Sequence, residues 1–374
     1  MIRLSGSAPA PLGRRALNRA TLARQLLLRR DERSAWQAIE HLAGLQAQAP
    51  NPPYIALWTR LQDFRFETLT RHMREREVVR CAAMRSTLHL LSAVDLLAFR
   101  PLLQPVHVRG VQAAYGRKLA GVDLASLARA GCDLLDEQTL TGAELGRRLA
   151  ERWSDSDPQA LAQAVRCHAT LIHVPPAGTW DSHRPATLAT AERWLGSQAI
   201  EAATPETLIR RYLAAFGPAS AKDISVWSGL TGFASVVKRM PDLITFSDED
   251  GVVLFDLPDA PRPGPDEPAP VRLLPEYDNL LLAHADRRRV IADAYRARVY
   301  TNNGIIRACV LIDGFVAGIW KLIATDDVAQ VRIELFEGAR KQDRLDLEAE
   351  AMSLLMAAAP SAQTHAVVFG TWSS

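Results

Sequence analysis

The chain has 374 residues, of which 48% are hydrophobic. It is therefore long enough to bury a sizeable core and to form two or three structural units, which excludes a disordered chain. Its 44 basic and 42 acidic side chains leave a formal net charge of +2, so attraction to nucleic acid would depend on local clusters of basic residues, not on overall charge.

The N-terminal segment, residues 1–15, is predicted to be a flexible tail. Its sequence MIRLSGSAPAPLGRR lacks the apolar run of a signal peptide. No later stretch approaches the roughly 18 uninterrupted apolar residues of a membrane helix. We therefore expect a soluble, cytoplasmic protein that makes no contact with a membrane.

One theme recurs before residue 258: a helix, a turn, a second helix and a strand-like stretch. In the first copy, residues 16–118, helices are predicted around Thr21 to Arg30 and Ala35 to Leu45, and strand around Val78 to Leu91. In the second copy, residues 119–203, a capping box at Thr141 and Glu144 opens a helix predicted to run through Trp153. A further helix is predicted from about Pro158 to Ile172.

The third copy, residues 204–257, has the clearest pattern. Ser220 and Asp223 form another capping box, a helix break follows at Gly229 or Gly232, and two strand-like runs flank Asp250-Gly251. Two helices followed by a β-hairpin are typical of a winged helix-turn-helix motif. The sequence thus predicts an α+β chain, mainly helical, with three tandem motifs of this kind.

A proline-rich linker is predicted at residues 258–270, where PDAPRPGPDEPAP removes backbone donors and fixes extended geometry. Beyond it, residues 271–374 alternate in short apolar bursts. Asp313-Gly314 separates two of these bursts and predicts a β-hairpin. The C-terminal region is therefore expected to be rich in strands.

Standard catalytic signatures are absent: the chain has no HExxH, GxSxG, Walker or GxGxxG motif. The four cysteines form no CxxC pair, and the spacing of His168 and His173 does not place both on one helix face. We expect neither a metal site nor an organic cofactor.

The segment Gln46-Ala47-Gln48 follows an amphipathic helix and precedes Pro50. Because Pro50 disfavours helical geometry before it, the segment is expected to be extended, with both amides on one side and Ala47 packed inward. Two glutamines that simply finish a helix are the ordinary interpretation. A neutral amide is not a general base, so the residues alone do not indicate catalysis.

Several separated motifs resemble, in order, the winged-helix DNA glycosylases typified by the azinomycin-resistance and crosslink-unhooking enzymes. The resemblance spans nearly the whole chain and rests on LNRATLARQLLL, GLQAQAPNPPYIALWTRL, MRSTLHLLSAVDL, LLPEYDNLLLAHADRRRVI and TNNGIIRACVLIDGFVAGIWKL. It implies a concave DNA-binding surface and a catalytic motif of Gln, a hydrophobic residue and Gln, which falls on Gln46 and Gln48. Both glutamines are present, as in the double-glutamine branch associated with resistance to DNA-alkylating natural products.

The resemblance also covers RSTLHL, where Arg85, Thr87 and His89 would lie on one face of an extended stretch. Strand alternation alone explains that pattern, and contact with DNA or support of the glutamines is the functional interpretation. Asn303-Gly304 is a strong turn signal. The resemblance implies that its hairpin enters the minor groove, with contacts from Thr301, Asn302, Asn303, Gly304 and Ile305.

Two basic clusters are candidates for phosphate contact, although most charge runs are merely solvated. One contains Arg287, Arg288 and Arg289, and the other contains Arg71, Arg74, Arg76, Arg80 and Arg85. Four tryptophans in apolar helical segments, Trp36, Trp58, Trp153 and Trp194, are expected in the core. Glu276 and Asp278 in LPEYDN are expected to be structural or to support the site, and a carboxylate there could assist the water if the glutamines do not suffice.

We therefore expect a monomeric, monofunctional DNA glycosylase that releases bulky N7- or N3-alkylated purines from double-stranded DNA, with interstrand crosslinks among its substrates. No lysine is placed by the motif to form a Schiff base. The alternative is a non-enzymatic winged-helix transcription regulator, which would account for the fold but not for the glutamine motif.

Overall fold

The computed structural model describes residues 11–325 and 327–371, which fold into mixed helix and sheet. The expected tail at residues 1–15 lies mainly outside this part, and Arg14 already begins a helix. We call the three copies predicted from the sequence the first, second and third segments. The elements of the first segment are α1 (Arg14–Arg24), α2 (Ala35–His41), β1 (Leu45–Gln46), α3 (Pro52–Trp58), α4 (Phe66–Arg74), β2 (Val78–Ala82), β3 (Leu88–Ser92) and α5 (Ala93–Tyr115).

The first two helices end earlier than the sequence predicts. α1 stops at Arg24, and Leu26 then takes a positive φ of 57°. α2 stops at His41, and Gly44 has a φ of 94°. A Cβ on Gly44 would lie 2.5 Å from the Leu91 side chain, so glycine is required where the chain reverses from α2 into β1.

The second segment confirms the predicted capping box, since the Thr141 hydroxyl and the Glu144 carboxylate bond to each other's backbone N–H groups. Both predicted helices are shorter than expected. The helix that begins at Gly142 ends at Ala150, before Trp153, and the helix that begins at Pro158 ends at His168, so that Ile172 lies in a strand. The elements are α6 (Leu124–Glu137), β4 (Leu140–Thr141), α7 (Gly142–Ala150), α8 (Pro158–His168), β5 (Leu171–Val174), β6 (Thr187–Thr190) and α9 (Ala191–Leu195).

Strands of the first and second segments form one sheet in the order β1-β3-β2-β5-β6-β4. β2 and β5 are antiparallel, with Arg80 opposite His173 and Cys81 opposite Ile172. The hairpins of the two segments are thus joined edge to edge, which the sequence pattern did not predict.

The third segment confirms both the capping box at Ser220 and the hairpin around Asp250-Gly251. The predicted helix break falls at Gly229, which follows the helix Ala221–Ser228 and has the left-handed conformation. The elements are α10 (Pro205–Phe216), α11 (Ala221–Ser228), α12 (Phe233–Val237), β7 (Ile244–Ser247) and β8 (Val253–Asp256).

The elements of the C-terminal region are β9 (Arg272–Leu274), α13 (Arg296–Val299), β10 (Cys309–Ile312), β11 (Phe315–Ala324), β12 (Val328–Leu335), α14 (Lys341–Ala358) and β13 (Thr364–Phe369). The strands form a five-stranded sheet in the order β13-β12-β11-β10-β9, and β10 and β11 meet at the predicted Asp313-Gly314 turn. In this sheet β12 and β13 pair in parallel, and the other neighbouring strands pair antiparallel.

The proline-rich segment 258–270 is docked along α1. Arginine side chains of α1 donate to its backbone carbonyls, namely Arg15 to Pro265, Arg19 to Glu267 and Arg24 to Pro261. Charged donors satisfy carbonyls that a proline-rich chain cannot pair in a sheet. The segment is therefore part of the packed structure and not a free spacer.

The C-terminal sheet shares a hydrophobic core with the first segment, in which Leu57, Trp320 and Leu354 are all buried. The expectation that the four tryptophans are core residues is confirmed: Trp58 is buried, and the other three pack against hydrophobic clusters while partly exposed. Among the described residues, no helix is both long and apolar enough to cross a membrane.

Candidate active site around Gln46 and Gln48

The glutamine segment lies at the edge of the six-stranded sheet, where Leu45–Gln46 form the edge strand β1. The predicted extended geometry is confirmed at Gln46 but not at Gln48, which lies in a bend. Leu45 pairs with Leu90, Gln46 with His89, and the Ala47 N–H donates to the Leu88 carbonyl over 2.7 Å. Ala47 packs inward, with 1% of its surface exposed. The two amides differ in environment, because Gln46 is buried and Gln48 is exposed.

Asn279 closes the open edge of this strand. Its side-chain oxygen accepts from the Gln46 N–H over 3.2 Å, and its Nδ2 donates to the Gly44 carbonyl over 2.6 Å. One amide side chain thus replaces the peptide group of a missing neighbouring strand. The sequence does not indicate this role, because Asn279 lies more than 230 positions from the strand that it contacts.

Asp278 anchors the turn that carries Asn279. It forms two bonds of 2.8 Å with the Arg60 guanidinium, and both side chains are buried. The expectation that Asp278 is structural is confirmed. Glu276, two residues earlier, is exposed and makes no hydrogen bond to a described residue, while partial desolvation raises the pKa of its carboxyl.

Arg80 holds the backbone of the motif from the other side. Its guanidinium donates to the carbonyls of Ala47 over 2.9 Å and Gln48 over 3.2 Å, and to His173 Nδ1 over 3.0 Å. Burial lowers the pKa of Arg80 to about 10, so the side chain stays charged. The prediction that Arg80 contacts phosphate is wrong in this structure, because its donors are used inside the protein.

Arg85 lies in a turn and not in a strand, which corrects the prediction of one extended stretch from residue 85 to residue 89. The 3-10 helix Met84–Ser86 separates β2 from β3, and Arg85 has a φ of 55°. Its guanidinium donates to the Gln46 Oε1 over 2.7 Å and to the Trp227 carbonyl. This hydrogen bond to Gln46 favours support of the glutamines, rather than contact with DNA, as the function of Arg85.

His89 lies beside Gln46, since cross-strand partners project to the same face. Its Nδ1 is 2.9 Å from the Thr87 carbonyl, so that nitrogen carries the proton and Nε2 is an acceptor. Burial, together with the nearby charge of Arg85, lowers the pKa of His89 to about 3. His89 is therefore neutral at physiological pH. The partly buried Thr87 donates its hydroxyl to the Met84 carbonyl.

The basic cluster at residues 287–289 is divided by its environment. Arg289 is buried and donates to the Pro218 carbonyl, so the prediction that it contacts DNA is wrong in this structure. Arg288 is neutralised by Asp286 and Asp250. Arg287 lies over the Tyr300 ring at 4.5 Å and has no carboxylate partner among the described residues.

Residues 301–305 form the predicted turn, with an exposed tip at Asn302, Asn303 and Gly304. The Thr301 and Ile305 backbones are hydrogen-bonded, and Ile305 exposes 37% of its surface. The residues that precede the turn form the short helix α13, which ends at Val299. Because Tyr277 N–H donates to the Ile306 carbonyl, the turn is attached to the same loop that carries Asn279.

One cluster of described residues offers three metal-ligand atoms within 4.8 Å of one another, from His72, Glu75 and Glu77. His72 and Glu77 are hydrogen-bonded to each other, and Glu75 forms an ion pair with Arg71. Both carboxylates are exposed, and the cluster lies at the end of α4, outside the glutamine motif. It supplies no group to that site.

Residues 39–356 match the family described as DNA glycosylase AlkZ-like. The chain is 27% identical over 332 residues to the interstrand DNA cross-link repair glycosylase of Streptomyces sahachiroi, an alignment that covers 81% of this chain and 86% of the relative. The solved structure of Streptomyces sahachiroi DNA glycosylase AlkZ superposes with a TM-score of 0.80 at 21% identity, covering 96% of this chain and 100% of that one.

The family match includes both Gln46 and Gln48 and most of the described fold. It decides between the two functions that the sequence allowed, in favour of the enzyme and against the non-enzymatic regulator. The chain belongs to the AlkZ-like family of DNA glycosylases.

Proposed function

We propose that this DNA glycosylase hydrolyses the N-glycosidic bond of bulky N7- or N3-alkylated purines in double-stranded DNA, acting as a monomer without an associated lyase step. The name of the Streptomyces sahachiroi relative brings interstrand crosslinks into this substrate class. The observation that carries the proposal is the pair Gln46 and Gln48, braced by Asn279, Arg80 and Arg85 at the edge of the six-stranded sheet, with Gln48 exposed.

The chemistry of the substrate explains why amides suffice. Alkylation at N7 or N3 gives the purine a positive charge, so the base leaves without a strong acid to protonate it. The barrier then lies in stabilising an oxocarbenium-like sugar and placing one water molecule, for which fixed dipoles are suited. In this proposal Gln48 orients the water, and Gln46 supports the water or the developing sugar cation.

An open site fits a bulky adduct. Many glycosylases rotate the damaged base into a tight pocket, which a crosslinked base cannot enter. Gln48 lies exposed on the protein surface, so it can reach the sugar of a nucleotide that remains in the duplex. Recognition from outside the helix is the mode that this exposure supports.

The repeated helix and hairpin segments supply the proposed grip on DNA. We interpret α2 to β3, α6 to β6 and α10 to β8 as three winged-helix motifs around a concave surface. The exposed turn 301–305 is assigned to the minor groove, and Arg287 is the member of its cluster free to meet phosphate.

The test is base release from an oligonucleotide duplex with one N7-alkylguanine, detected as alkali-dependent cleavage at the abasic site. Wild-type protein should produce cleavage, and Gln46→Ala and Gln48→Ala should be slower by about 100-fold, the usual cost of losing one fixed dipole. Full excision by both variants, with folding and DNA binding intact, would refute the catalytic assignment. Cleavage before alkali would refute the absence of lyase activity.

A further inference from the structure

The amide of Gln46 is held at one end only. Its Oε1 accepts from Arg85 Nη2 over 2.7 Å. A guanidinium has only donors, so the atom facing it must be the carbonyl oxygen, and the orientation of the amide follows. Gln46 Nε2 has no hydrogen-bond partner among the described residues, and this atom is not fully buried. The N–H end of the amide is therefore the end that reaches the surface.

Arg85 is itself fixed by parts of the chain that are distant in sequence. Its second nitrogen, Nη1, donates to the Trp227 carbonyl at the end of α11. Gly229 packs against the turn, where an added Cβ would lie 3.2 Å from the Arg85 Cα and 2.9 Å from Val106. Among the described residues, no carboxylate acts on the Arg85 charge, and its donors are directed to the neutral carbonyls of Trp227 and the Gln46 side chain.

We propose that Arg85 is a positioning residue that turns the Gln46 carbonyl inward and its N–H groups toward DNA, making Gln46 a hydrogen-bond donor in the reaction. The inference rests on the proposed function and narrows it. Gln46 donates a hydrogen bond to an oxygen atom of the water or of the DNA, whereas the side-chain carbonyl of Gln48 stabilises the sugar cation. The Gln48 side chain is exposed and makes no hydrogen bond to a described residue.

His89 complements this polarity. The His89 and Gln46 side chains leave the sheet on the same face, because the two residues are cross-strand partners, and the proton on Nδ1 leaves His89 Nε2 as the acceptor. A donor on Gln46 and an acceptor on its cross-strand partner suit one hydroxyl group, such as that of a water molecule, which accepts from Gln46 and donates to His89.

The donor assignment is tested by exchanging an amide for a carboxylate. Gln46→Glu keeps an acceptor for Arg85 but loses both N–H groups, so single-turnover excision should slow by about 10- to 100-fold, as for a misplaced or missing contact. The matched control is Gln330→Glu in β12, outside the glutamine motif, where the side-chain oxygen accepts from Arg332 and a carboxylate keeps that acceptor; it should stay within about threefold of wild type. Wild-type excision by Gln46→Glu would overturn the donor role.

The positioning role is tested by a double-mutant cycle on the same rate, with DNA affinity and thermal unfolding measured in parallel. Arg85→Ala should slow excision by about 10- to 100-fold in the wild-type and Gln48→Ala backgrounds. In the Gln46→Ala background it should cause little further loss, because Arg85 acts through Gln46. Equal slowing in all three backgrounds would overturn the inference.

The outcomes separate this inference from the proposed function. Full excision by Gln46→Ala would refute both, whereas slow excision by Gln46→Ala with an additive effect of Arg85→Ala would refute only the positioning role. If Arg85→Ala does not fold, Arg85→Lys replaces it in the cycle, since one ammonium cannot reproduce the two-pronged contact with Gln46 and Trp227.

Discussion

The backbone around Gln48 is held by a single guanidinium. Arg80 bonds the carbonyls of Ala47 and Gln48 and the ring nitrogen of His173, which belongs to the neighbouring hairpin. A planar fork with fixed donors suits three acceptors at once. The exposed catalytic candidate therefore has a rigid base.

We expect Arg80→Lys to slow excision by about 10- to 100-fold with little change in DNA affinity, because a lysine cannot bond all three acceptors and Gln48 would shift. Single-turnover rates and binding isotherms provide the measurement. Arg74→Lys is the matched control, since Arg74 is exposed in the same basic cluster. Equal rates for Arg80→Lys and wild type would contradict the role.

At the scale of elements, the turn 301–305 projects from a well-paired base. Tyr300 and Ile306 form an antiparallel bridge, and the Thr301 hydroxyl bonds the backbone of Ile305. The tip is polar and exposed, with one apolar side chain, Ile305, at its edge. This combination suits insertion into a groove, where polar groups read edges and an apolar group contacts sugars.

Replacing residues 301–305 by Asn-Gly should leave the fold intact, because a two-residue turn can close the Tyr300–Ile306 pair. The groove contact would be lost, and affinity for duplex DNA should fall by about tenfold, equivalent to roughly 1.4 kcal/mol. Fluorescence anisotropy with a labelled duplex measures this, and the melting temperature is the control. Unchanged affinity in a folded variant would count against the groove assignment.

At the scale of the whole molecule, buried arginines connect distant segments. Arg24 pairs with Asp256, and Arg60 pairs with Asp278, with the side chains of both pairs at 0–1% exposure. Burying such an ion pair adds little to the free energy of unfolding, but removing one partner leaves the other charge buried and unpaired. The Arg60 pair also anchors the loop whose Asn279 braces the motif.

Arg60→Ala should lower the free energy of unfolding by about 3–5 kcal/mol, because Asp278 would remain buried and unpaired. Arg29→Ala is the control, since Arg29 is 85% exposed in its pair with Glu267 and exposed pairs contribute about 0–1 kcal/mol. Urea denaturation measures both. A loss for Arg60→Ala no greater than that for Arg29→Ala would show that the pair does not hold the segments.

Acid should destabilise the protein through its buried histidines. Burial lowers the pKa of His89, His107 and His173 to about 3 each, whereas an unfolded histidine titrates near 6.5. Below about pH 6.5 the unfolded chain binds protons that the folded chain does not, so stability falls progressively down to about pH 3. At pH 5 the loss is about 2 kcal/mol for each histidine.

Thermal unfolding between pH 7 and pH 5 checks this expectation. The melting temperature should drop across that range, and the drop should shrink in a variant with glutamine at positions 89, 107 and 173, since glutamine does not titrate. An unchanged melting temperature in the wild type would contradict neutral, buried histidines.

The sequence by itself determined the features that depend on neighbouring residues. The capping boxes at Thr141 and Ser220 and the turns at Asp250-Gly251, Asp313-Gly314 and Asn303-Gly304 form as predicted, because caps and turns satisfy backbone groups a few residues away. The glutamine segment follows its prediction only in part, because its strand ends at Gln46 and Gln48 lies in a bend. The motifs also identified the family, since residue types are what a family preserves.

Only the tertiary structure decided which polar groups meet. Asn279 is 233 positions from Gln46, and Trp227 is 142 positions from Arg85, so no local pattern indicates either contact. The sequence grouped Arg80, Arg85 and Arg289 with surface arginines, whereas packing turned them toward carbonyls and amides. A charge run has no periodicity that separates solvated members from those buried against a distant segment, because burial is set by the other segment.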